Sequence, residues 1–375
     1  MKKYDVIALG ELLIDFTQNG LSEQGNPLLE ANPGGAPCNV LAMLAKYGRK
    51  TAFIGKVGED AFGRKLAGIL AECGIDTEGL CFDSQVHTTL AFVHKLANGD
   101  RDFSFYRNPG ADMMLSAADV RKDLIRQSRI FHFGTLSMTD PVCRAATETA
   151  IQTAKEAGAL ISFDPNLRPP LWRNLAEAKE AILYGIRQCH VLKISDNEIT
   201  FITGMQDYDH AARSLRDQFH TKLICVTLGE QGSRAYYEDQ LVCAEPYPAE
   251  EVVDTTGAGD TFTGSMLNFL LERADQDAQR QVGVKRLIGD TDEERRMRRS
   301  VEEKAASAPE ERGSAAGDML KDLTGPELSL MLKRANAAAS LIVRRRGALR
   351  MMPEVEEITA LCGEGLVSPI SADEL

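Results

Sequence analysis

Nine residues of this 375-residue sequence read Asp254-Thr-Thr-Gly-Ala-Gly-Asp-Thr-Phe262, and an apolar pattern with helical spacing continues from them to Leu271. Gly257 and Gly259 have no Cβ atom, so the backbone can approach a ligand closely. The unpaired amides at the N-terminus of the predicted helix and the positive end of its dipole favour an anion such as phosphate. Asp260 lies in the first turn, where a carboxylate can deprotonate a hydroxyl that attacks a phosphoryl group. The pattern predicts an anion hole beside a base, and an acid-capped helix after a glycine turn is the alternative.

Before this stretch, short apolar runs alternate with amphipathic ones. Strand-like runs occupy residues 5–10, 51–57, 130–134, 159–163, 191–194 and 223–227, and helix-like patterns occupy 60–73, 143–157 and 175–189. Apolar strands separated by helices are typical of βαβ units, in which helices cover both faces of a parallel sheet. The sequence therefore predicts an α/β fold with a mainly parallel central sheet.

Two segments depart from this pattern, at residues 11–33 and 87–112. They are polar and aromatic, and they alternate with period two in Thr89-Leu-Ala-Phe-Val-His-Lys95 and Phe103-Ser-Phe-Tyr106. Such alternation predicts short antiparallel strands outside the main sheet. A small sheet that projects from an α/β body is a candidate lid.

A third segment, residues 274–322, contains 22 charged residues among its 49 and no aromatic residue. This composition predicts a solvated helical insertion or a partly disordered loop, with a partner-binding arm as the alternative.

Composition excludes several classes of protein. Hydrophobic residues make up 43% of the chain and charged residues 26%, which is ordinary for a globular protein. No run approaches the roughly 18 apolar residues of a membrane span, and a net charge of −12 disfavours nucleic acid as the main partner. Acidic residues interrupt any N-terminal signal-peptide pattern, and the eight cysteines form no CxxC pair. We expect a cytoplasmic protein with reduced thiols and no membrane or nucleic-acid partner.

A second glycine-rich cluster reads Pro33-Gly-Gly-Ala-Pro-Cys-Asn39 and begins a predicted helix. Its glycines and Asn39 suit hydrogen bonds to sugar hydroxyls. Three further polar loops follow predicted strands directly: 163–168, 193–198 and 227–233. Ligands of open α/β sheets bind at the carboxyl ends of the strands, and Glu198 can hold Mg²⁺ through water there. Each loop alone has a structural explanation, but together they predict one crevice.

Motifs of other nucleotide-binding and hydrolytic sites are absent from the sequence. There is no GxxxxGK[ST] phosphate loop and no GxGxxG after the first strand, which disfavours P-loop enzymes and Rossmann dehydrogenases. The GxSxG element of hydrolases is also missing.

The sequence resembles the ribokinase/PfkB family of carbohydrate kinases. One family signature corresponds to residues 33–39 together with Gly55-Lys-Val-Gly-Glu-Asp-Ala-Phe-Gly63, and the other to residues 254–262. The resemblance covers nearly the whole chain except 274–322. Within the family the chain is most similar to fructokinases, as indicated by Gly10-Glu-Leu-Leu-Ile-Asp15, Phe105-Tyr-Arg-Asn-Pro-Gly-Ala-Asp112 and Asp164-Pro-Asn-Leu-Arg-Pro-Pro-Leu-Trp172.

This resemblance implies one ribokinase-like domain, a Rossmann-type three-layer α/β sandwich with a small β-sheet lid that often forms a homodimer. It implies transfer of a phosphoryl group from ATP, with Mg²⁺, to a sugar hydroxyl, and D-fructose as the sugar that yields D-fructose 6-phosphate. The alternatives are a kinase for another small sugar or sugar acid, such as ribose or 2-keto-3-deoxygluconate, and a non-catalytic sugar-binding regulator.

The resemblance also implies a role for individual residues. Asp260 corresponds to the catalytic base, and Gly257, Ala258 and Gly259 correspond to the anion hole. The sugar ligands would be Asp15, Gly34, Gly35, Asn39, Arg107 and Arg168. The nucleotide side would contain Lys193, Thr227, Gly229, Gly232 and Asn336. Glu198 ends the family's NxxE magnesium motif, although Ser195 replaces the Asn, and Asp254 and Thr256 with the Gly347 loop resemble a site for a monovalent cation such as K⁺.

Overall fold

The computed structural model describes residues 2–95, 101–249, 251–287 and 319–363. Within these residues the main sheet contains β1 (Tyr4–Leu9), β4 (Thr51–Gly58), β5 (Ile75–Asp83), β8 (Ser128–Phe133), β9 (Leu160–Phe163), β10 (Val191–Ser195), β11 (Leu223–Thr227), β12 (Ser233–Tyr237) and β13 (Gln240–Ala244). A smaller sheet contains β2 (Leu13–Leu21), β3 (Pro27–Gly34), β6 (Leu90–Lys95) and β7 (Arg101–Tyr106).

The α-helices of the described residues alternate with the strands of the main sheet. They are α1 (Ala36–Lys46), α2 (Ala61–Glu72), α3 (Lys122–Ile125), α4 (Pro141–Glu156), α5 (Leu175–Gln188), α6 (Asp196–Thr203), α7 (Tyr208–Phe219), α8 (Ala258–Leu287), α9 (Gly325–Ile342) and α10 (Val355–Cys362). No described helix combines the length and the apolar composition needed to cross a membrane.

The main sheet has the strand order β13-β12-β11-β10-β9-β8-β1-β4-β5. In this order, each strand from β11 across to β5 at the sheet edge pairs in parallel with the next. The β11–β12 and β12–β13 pairs at the opposite edge are antiparallel. The central strands are apolar because helices cover both faces of the sheet. One core packs α1, α2, α8, α9 and α10 against one face, and a second packs α3 to α7 against the other. The predicted three-layer α/β sandwich with a mainly parallel sheet is confirmed.

The smaller sheet, with the order β3-β2-β6-β7, lies within the two segments expected to form strands outside the main sheet, apart from the last residue of β3. Its outer pairs, β2–β3 and β6–β7, are antiparallel as predicted, but the central β2–β6 pair is parallel. The reason is topological. Because β1 and β5 are parallel strands of the main sheet, the segments that leave their carboxyl ends start in the same direction and become β2 and β6.

Of the predicted insertion, residues 288–318 lie outside the described residues.

A glycine at a helix–sheet contact tests the packing of the second core. Gly185 of α5 faces the ring of Phe163 on β9, and a Cβ atom at position 185 would lie 2.3 Å from the ring carbon Cζ. We expect Gly185→Ala to lower the free energy of unfolding by about 1–3 kcal/mol because the core is overpacked. Urea denaturation measures this change.

Gly68→Ala is the matched control, because a Cβ at this position of α2 would meet no atom within 4 Å. Alanine is the better helix former, so the free energy of unfolding of this variant should rise by about 0.5–1 kcal/mol. Equal gains for both variants would contradict the packing of α5 on β9.

Candidate active site

A cavity of about 1070 Å³ opens where the carboxyl ends of the central strands meet the smaller sheet. The main sheet contributes the loops after β1, β9 and β10, and the N-terminal ends of α1 and α8 face the same space. The smaller sheet contributes Asp15, Thr17, Asn32, Val93 and Phe105. The strand-end loops thus share one crevice, although the 227–233 loop is not part of its wall.

Asp260 and Asn39 form a buried hydrogen bond at the floor of this cavity. The Asn39 amide Nδ2 donates to Asp260 Oδ2 at 2.8 Å. Burial raises the pKa of Asp260, while the Asn39 hydrogen bond and the positive charges of Lys193 and Arg168 oppose that rise. Asn39 Oδ1 is buried without a hydrogen-bond partner in the described part of the chain. Buried acceptors are rarely left unsatisfied, so this atom is available to a ligand hydroxyl.

The glycine turn before α8 lies against a second loop. Gly257 has φ 80°, and a Cβ atom there would lie 2.7 Å from Ala348 Cβ, so a larger residue would be both strained and obstructed. The Ala258 amide donates to the Thr255 carbonyl oxygen at 3.3 Å and closes the turn. A Cβ atom on Gly259 would lie 2.8 Å from the Lys193 ammonium. A helix N-terminus and a cation therefore lie together, an arrangement that favours a bound anion.

Lys193 keeps its charge because buried carboxylates surround it. Its Nζ atom lies 3.1 Å from Asp164 Oδ2, and both side chains are buried. Burial alone would lower the pKa of Lys193, but the charges of Asp164 and Glu198 outweigh burial and raise it. For Asp164 burial prevails and raises the pKa to about 6.

Glu198 is fixed at the start of α6. It accepts hydrogen bonds from the Leu167 amide at 2.8 Å and from the Ser195 amide at 2.9 Å, and the Ser195 hydroxyl caps the helix in return. Burial would raise the pKa of Glu198, but the Lys193 charge and these donors hold it below its usual value. An ionised carboxylate at the cavity wall suits a water-held Mg²⁺. No group of three or more His, Cys, Asp or Glu side chains in the described ranges is arranged to hold a metal directly.

The predicted sugar ligands fall into two groups: four that border the cavity and two, Gly34 and Arg107, that lie behind its wall. Asp15, Gly35, Asn39 and Arg168 all border the cavity. Gly34 packs behind Asp15, because a Cβ atom on Gly34 would lie 2.1 Å from the carboxylate oxygen Oδ2. Burial raises the pKa of Asp15 to about 7, against the opposing charge of Arg168.

Arg107 belongs to the second group. Its guanidinium is buried and donates to Asp112 Oδ2 at 2.8 Å, to Thr139 Oγ1 at 2.8 Å and to the Leu136 carbonyl oxygen at 2.9 Å. Leu136, rather than Arg107, borders the cavity. The structure thus places Arg107 behind the wall, and its contact with a sugar stays a prediction.

The predicted nucleotide-binding residues other than Lys193 lie outside this cavity: Thr227, Gly229, Gly232 and Asn336. Thr227 is opposite Ser195 in the β10–β11 register, so it continues the same sheet edge one strand further on. Asn336 accepts from the Ser233 hydroxyl and donates to the carbonyl oxygens of Ala244 and Glu245. These contacts join α9 to the β12–β13 edge, and a role for Asn336 toward a nucleotide stays a prediction.

Asp254 connects the glycine turn to the Gly347 loop. The Thr256 amide donates to Asp254 Oδ1 at 2.9 Å, and the Gly347 amide donates to Oδ2 at 3.3 Å. All three residues border the cavity. The cation site suggested for Asp254 and Thr256 stays a prediction.

Three polar residues of the site were not singled out from the sequence as site residues: Glu11, Asp164 and Asn166. Glu11 and Asn166 border the main cavity, and Asp164 pairs with Lys193 below it. Each follows β1 or β9 within three residues. The strand-end rule that marked Arg168 and Glu198 could therefore have found them as well.

The comparisons with known proteins agree with this geometry. A family model described as pfkB family carbohydrate kinase matches residues 3–285. A probable fructokinase-4 of Arabidopsis thaliana is 44% identical over 264 residues, which are 70% of this chain and 81% of that protein. The sequence-based identification of the family is confirmed.

Solved structures are similar over almost the whole chain. A fructokinase with bound ATP from Xylella fastidiosa matches with a TM-score of 0.76 and 28% identity, covering 96% of this chain and 98% of its own. A fructokinase from Vibrio cholerae O395, in its fructose, ADP and calcium ion bound form, has a TM-score of 0.75 and 26% identity, covering 96% and 99%. The ribokinase-like fold is confirmed.

The raised pKa of the half-buried Asp15 carboxyl predicts a dependence of stability on pH. The folded protein holds the Asp15 proton up to about pH 7, whereas an unfolded chain releases it near pH ~3.9. Between these values the free energy of unfolding of the wild type falls as pH rises. We expect Asp15→Asn to become more stable relative to wild type from about pH 4 to pH 7, then level off, in urea denaturation at stepped pH.

Asp239→Asn serves as the control, since Asp239 is exposed in the turn between β12 and β13. It should show no such trend. A stability difference for Asp15→Asn that is independent of pH would contradict burial as the cause of the shift.

Proposed function

The chain belongs to the pfkB family of carbohydrate kinases, and from this premise we propose that it transfers the γ-phosphoryl group of ATP to D-fructose and releases D-fructose 6-phosphate. The observation that carries the proposal is the Asn39–Asp260 hydrogen bond beside the glycine turn and the Lys193 ammonium. A base, an anion site and a cation share one wall of a cavity large enough for a sugar.

In this proposal Asp260 is the catalytic base. Asn39 holds one carboxylate oxygen, which leaves the other to accept the proton of the attacking sugar hydroxyl. The transferring phosphoryl group binds at the turn formed by Gly257, Ala258 and Gly259, and Lys193 offsets the negative charge of that group. Phosphoryl transfer depends mainly on positioning and charge neutralisation, which these residues supply.

Mg²⁺ bound with ATP supplies further charge neutralisation on the phosphates in this proposal. Glu198 would hold it through water, since its carboxylate is ionised and borders the cavity. We assign the nucleotide to the sheet edge that continues from Ser195 to Thr227, with Gly229, Gly232 and Asn336 beyond it. Asp254 and Thr256 form the candidate K⁺ site, and equal rates in potassium and choline chloride would exclude that assignment.

The smaller sheet serves as a lid over the sugar. Asp15 and Asn39 offer hydrogen-bond acceptors, and Val93 and Phe105 add an apolar surface. A closed lid excludes water, which otherwise competes with the sugar for the phosphoryl group. Exposed Leu21, Leu28 and Leu29 on β2 and β3 suit a homodimer through this sheet. Sedimentation at the mass of a single chain would rule the dimer out.

The charges around the cavity favour a neutral sugar over a sugar acid. Among the described lining residues the cations are Arg168 and Lys193, and Lys193 is paired with Asp164. A sugar acid would place its carboxylate beside the acidic side chains of Glu11, Asp15 and Asp260, with Arg168 and the Asp164-paired Lys193 as the cations to balance it. The fructose in the solved Vibrio cholerae relative supports the same choice.

Release of ADP across a panel of sugars tests the substrate. We expect fructose to give the highest kcat/KM in the presence of ATP and Mg²⁺, above ribose, glucose, mannose, adenosine and 2-keto-3-deoxygluconate. A preference for 2-keto-3-deoxygluconate would overturn the charge argument. Tight sugar binding without ADP release would instead favour a sugar-binding regulator.

Substitution of the proposed base tests the mechanism. Asp260→Asn retains an oxygen that can accept a hydrogen bond but cannot take up the proton, so kcat should fall by about 10²–10⁴. Sugar affinity, measured by calorimetry, should stay within a few-fold of wild type. Turnover near the wild-type value would remove Asp260 from the role of base.

A further inference from the structure

Glu11 occupies a buried position that the proposed mechanism does not use. It lies between the end of β1 and the start of β2, and only 3% of its surface is exposed. Its Oε1 atom accepts a hydrogen bond from the Ala36 amide at 2.8 Å. Ala36 is the first residue of α1, so the carboxylate lies at the positive end of that helix.

Helix α1 has no cap of its own. Its N-cap residue is Gly35, and its first turn contains no acidic residue. A capping side chain cannot be placed at position 35, because φ is 131° and a Cβ atom would lie 2.3 Å from the Glu11 carbonyl oxygen. A buried helix N-terminus needs acceptors for its free amides. Glu11 supplies one from a different part of the chain, in place of the usual Ser, Thr, Asp or Asn.

The first turn of α1 also carries the side chain that holds the proposed base. The backbone amide of Asn39 donates to the Gly35 carbonyl oxygen at 3.0 Å, and the side-chain Nδ2 of Asn39 donates to Asp260 Oδ2 at 2.8 Å. The contacts therefore run from Glu11 through the Ala36 amide and the first turn of α1 to Asn39, and from Asn39 to Asp260.

We infer that Glu11 is a positioning residue for phosphoryl transfer: it fixes the start of α1 and, through Asn39, the orientation of the Asp260 carboxylate. The inference rests on the proposed role of Asp260 as base. Displacement of a reacting group by about 1 Å costs on the order of 10²-fold in rate, so a small shift of α1 would be visible in kcat.

The space around Glu11 allows such a shift. Glu11 and Asp260 both border a second cavity of about 10 Å³, close to the volume that one water occupies. Removal of the Glu11 side chain enlarges this space and leaves the Ala36 amide without its acceptor. The Arg107–Asp112 pair, whose charges act on Glu11, lies behind it and is held by its own contacts.

A double-mutant cycle between Glu11 and Asn39 tests the inference on the full-length enzyme. We expect Glu11→Ala to lower kcat by about 10–100-fold while the KM for ATP changes little, and Asn39→Ala to have an effect of similar size. Since Glu11 acts through Asn39, Glu11→Ala should lower kcat by less than about threefold when Asn39 is already Ala. Glu11→Gln keeps an oxygen for the Ala36 amide and should recover most of the loss.

Glu357→Ala is the matched control. Glu357 accepts from the Glu354 amide at the start of α10, and neither residue borders the cavity. Its loss also removes a helix-capping carboxylate, so thermal stability should fall while kcat stays at the wild-type value.

Two results would overturn the inference. In one, the losses from Glu11→Ala and Asn39→Ala multiply in the double variant; in the other, Glu11→Gln is as damaging as Glu11→Ala. If Glu11→Ala does not fold, Glu11→Asp replaces it in the cycle, because the shorter carboxylate also loses the Ala36 contact. Asp260→Asn distinguishes failure of the proposed base from failure of the role of Glu11. If Asp260→Asn keeps high activity, Asp260 is not the base. If Asp260→Asn is inactive but the rate losses of Glu11→Ala and Asn39→Ala multiply in the double variant, only the role of Glu11 is refuted.

Discussion

The site depends on one buried cation. Lys193 lies among Asp164, Glu198 and Asp260, and its positive charge acts on the pKa of each. Ionised groups lose their hydration when they are buried, and a lone buried charge is too costly to keep. The paired lysine lets Glu198 remain charged, and it adds positive charge beside the Gly259 turn where an anion would bind. The same group of charges therefore lies beside the turn to which we assign the phosphoryl group.

The parallel sheet accounts for the place of this cluster. β9 and β10 are neighbours and run in the same direction, so Asp164 and Lys193 arrive at one edge from adjacent strands. The N-termini of α1 and α8 point at that edge, which brings amide groups and the positive ends of two helix dipoles to the carboxylates. Residues far apart in the sequence, such as Asn39 and Asp260, thereby form a single hydrogen bond.

Sequence patterns predicted the parts of the structure that depend on local chemistry. The strand runs follow from apolar periodicity, and the position of Glu198 follows from the strand-end rule. The glycine-rich clusters indicated the turn before α8 and Asn39, whereas Asp15 was placed by the family resemblance. The direction of a long side chain depends on its tertiary surroundings, and so the buried contacts of Arg107 and Asn336 could not be predicted. The parallel β2–β6 pair was missed for a similar reason, since alternation within a strand does not report the direction of its neighbour.

Helix α8 carries the proposed base in its first turn and extends for 30 residues, roughly 45 Å at 1.5 Å per residue. The chain therefore leaves the described part of α8, at Leu287, at the far end of a long helix. It returns at Met319 and Leu320, which pack in the core beside Tyr237. Among the described residues, none of α8 beyond Asp260 borders the cavity. The described end of α8, where the chain enters the α8–α9 connection, is therefore a helix length away from the turn that faces the cavity.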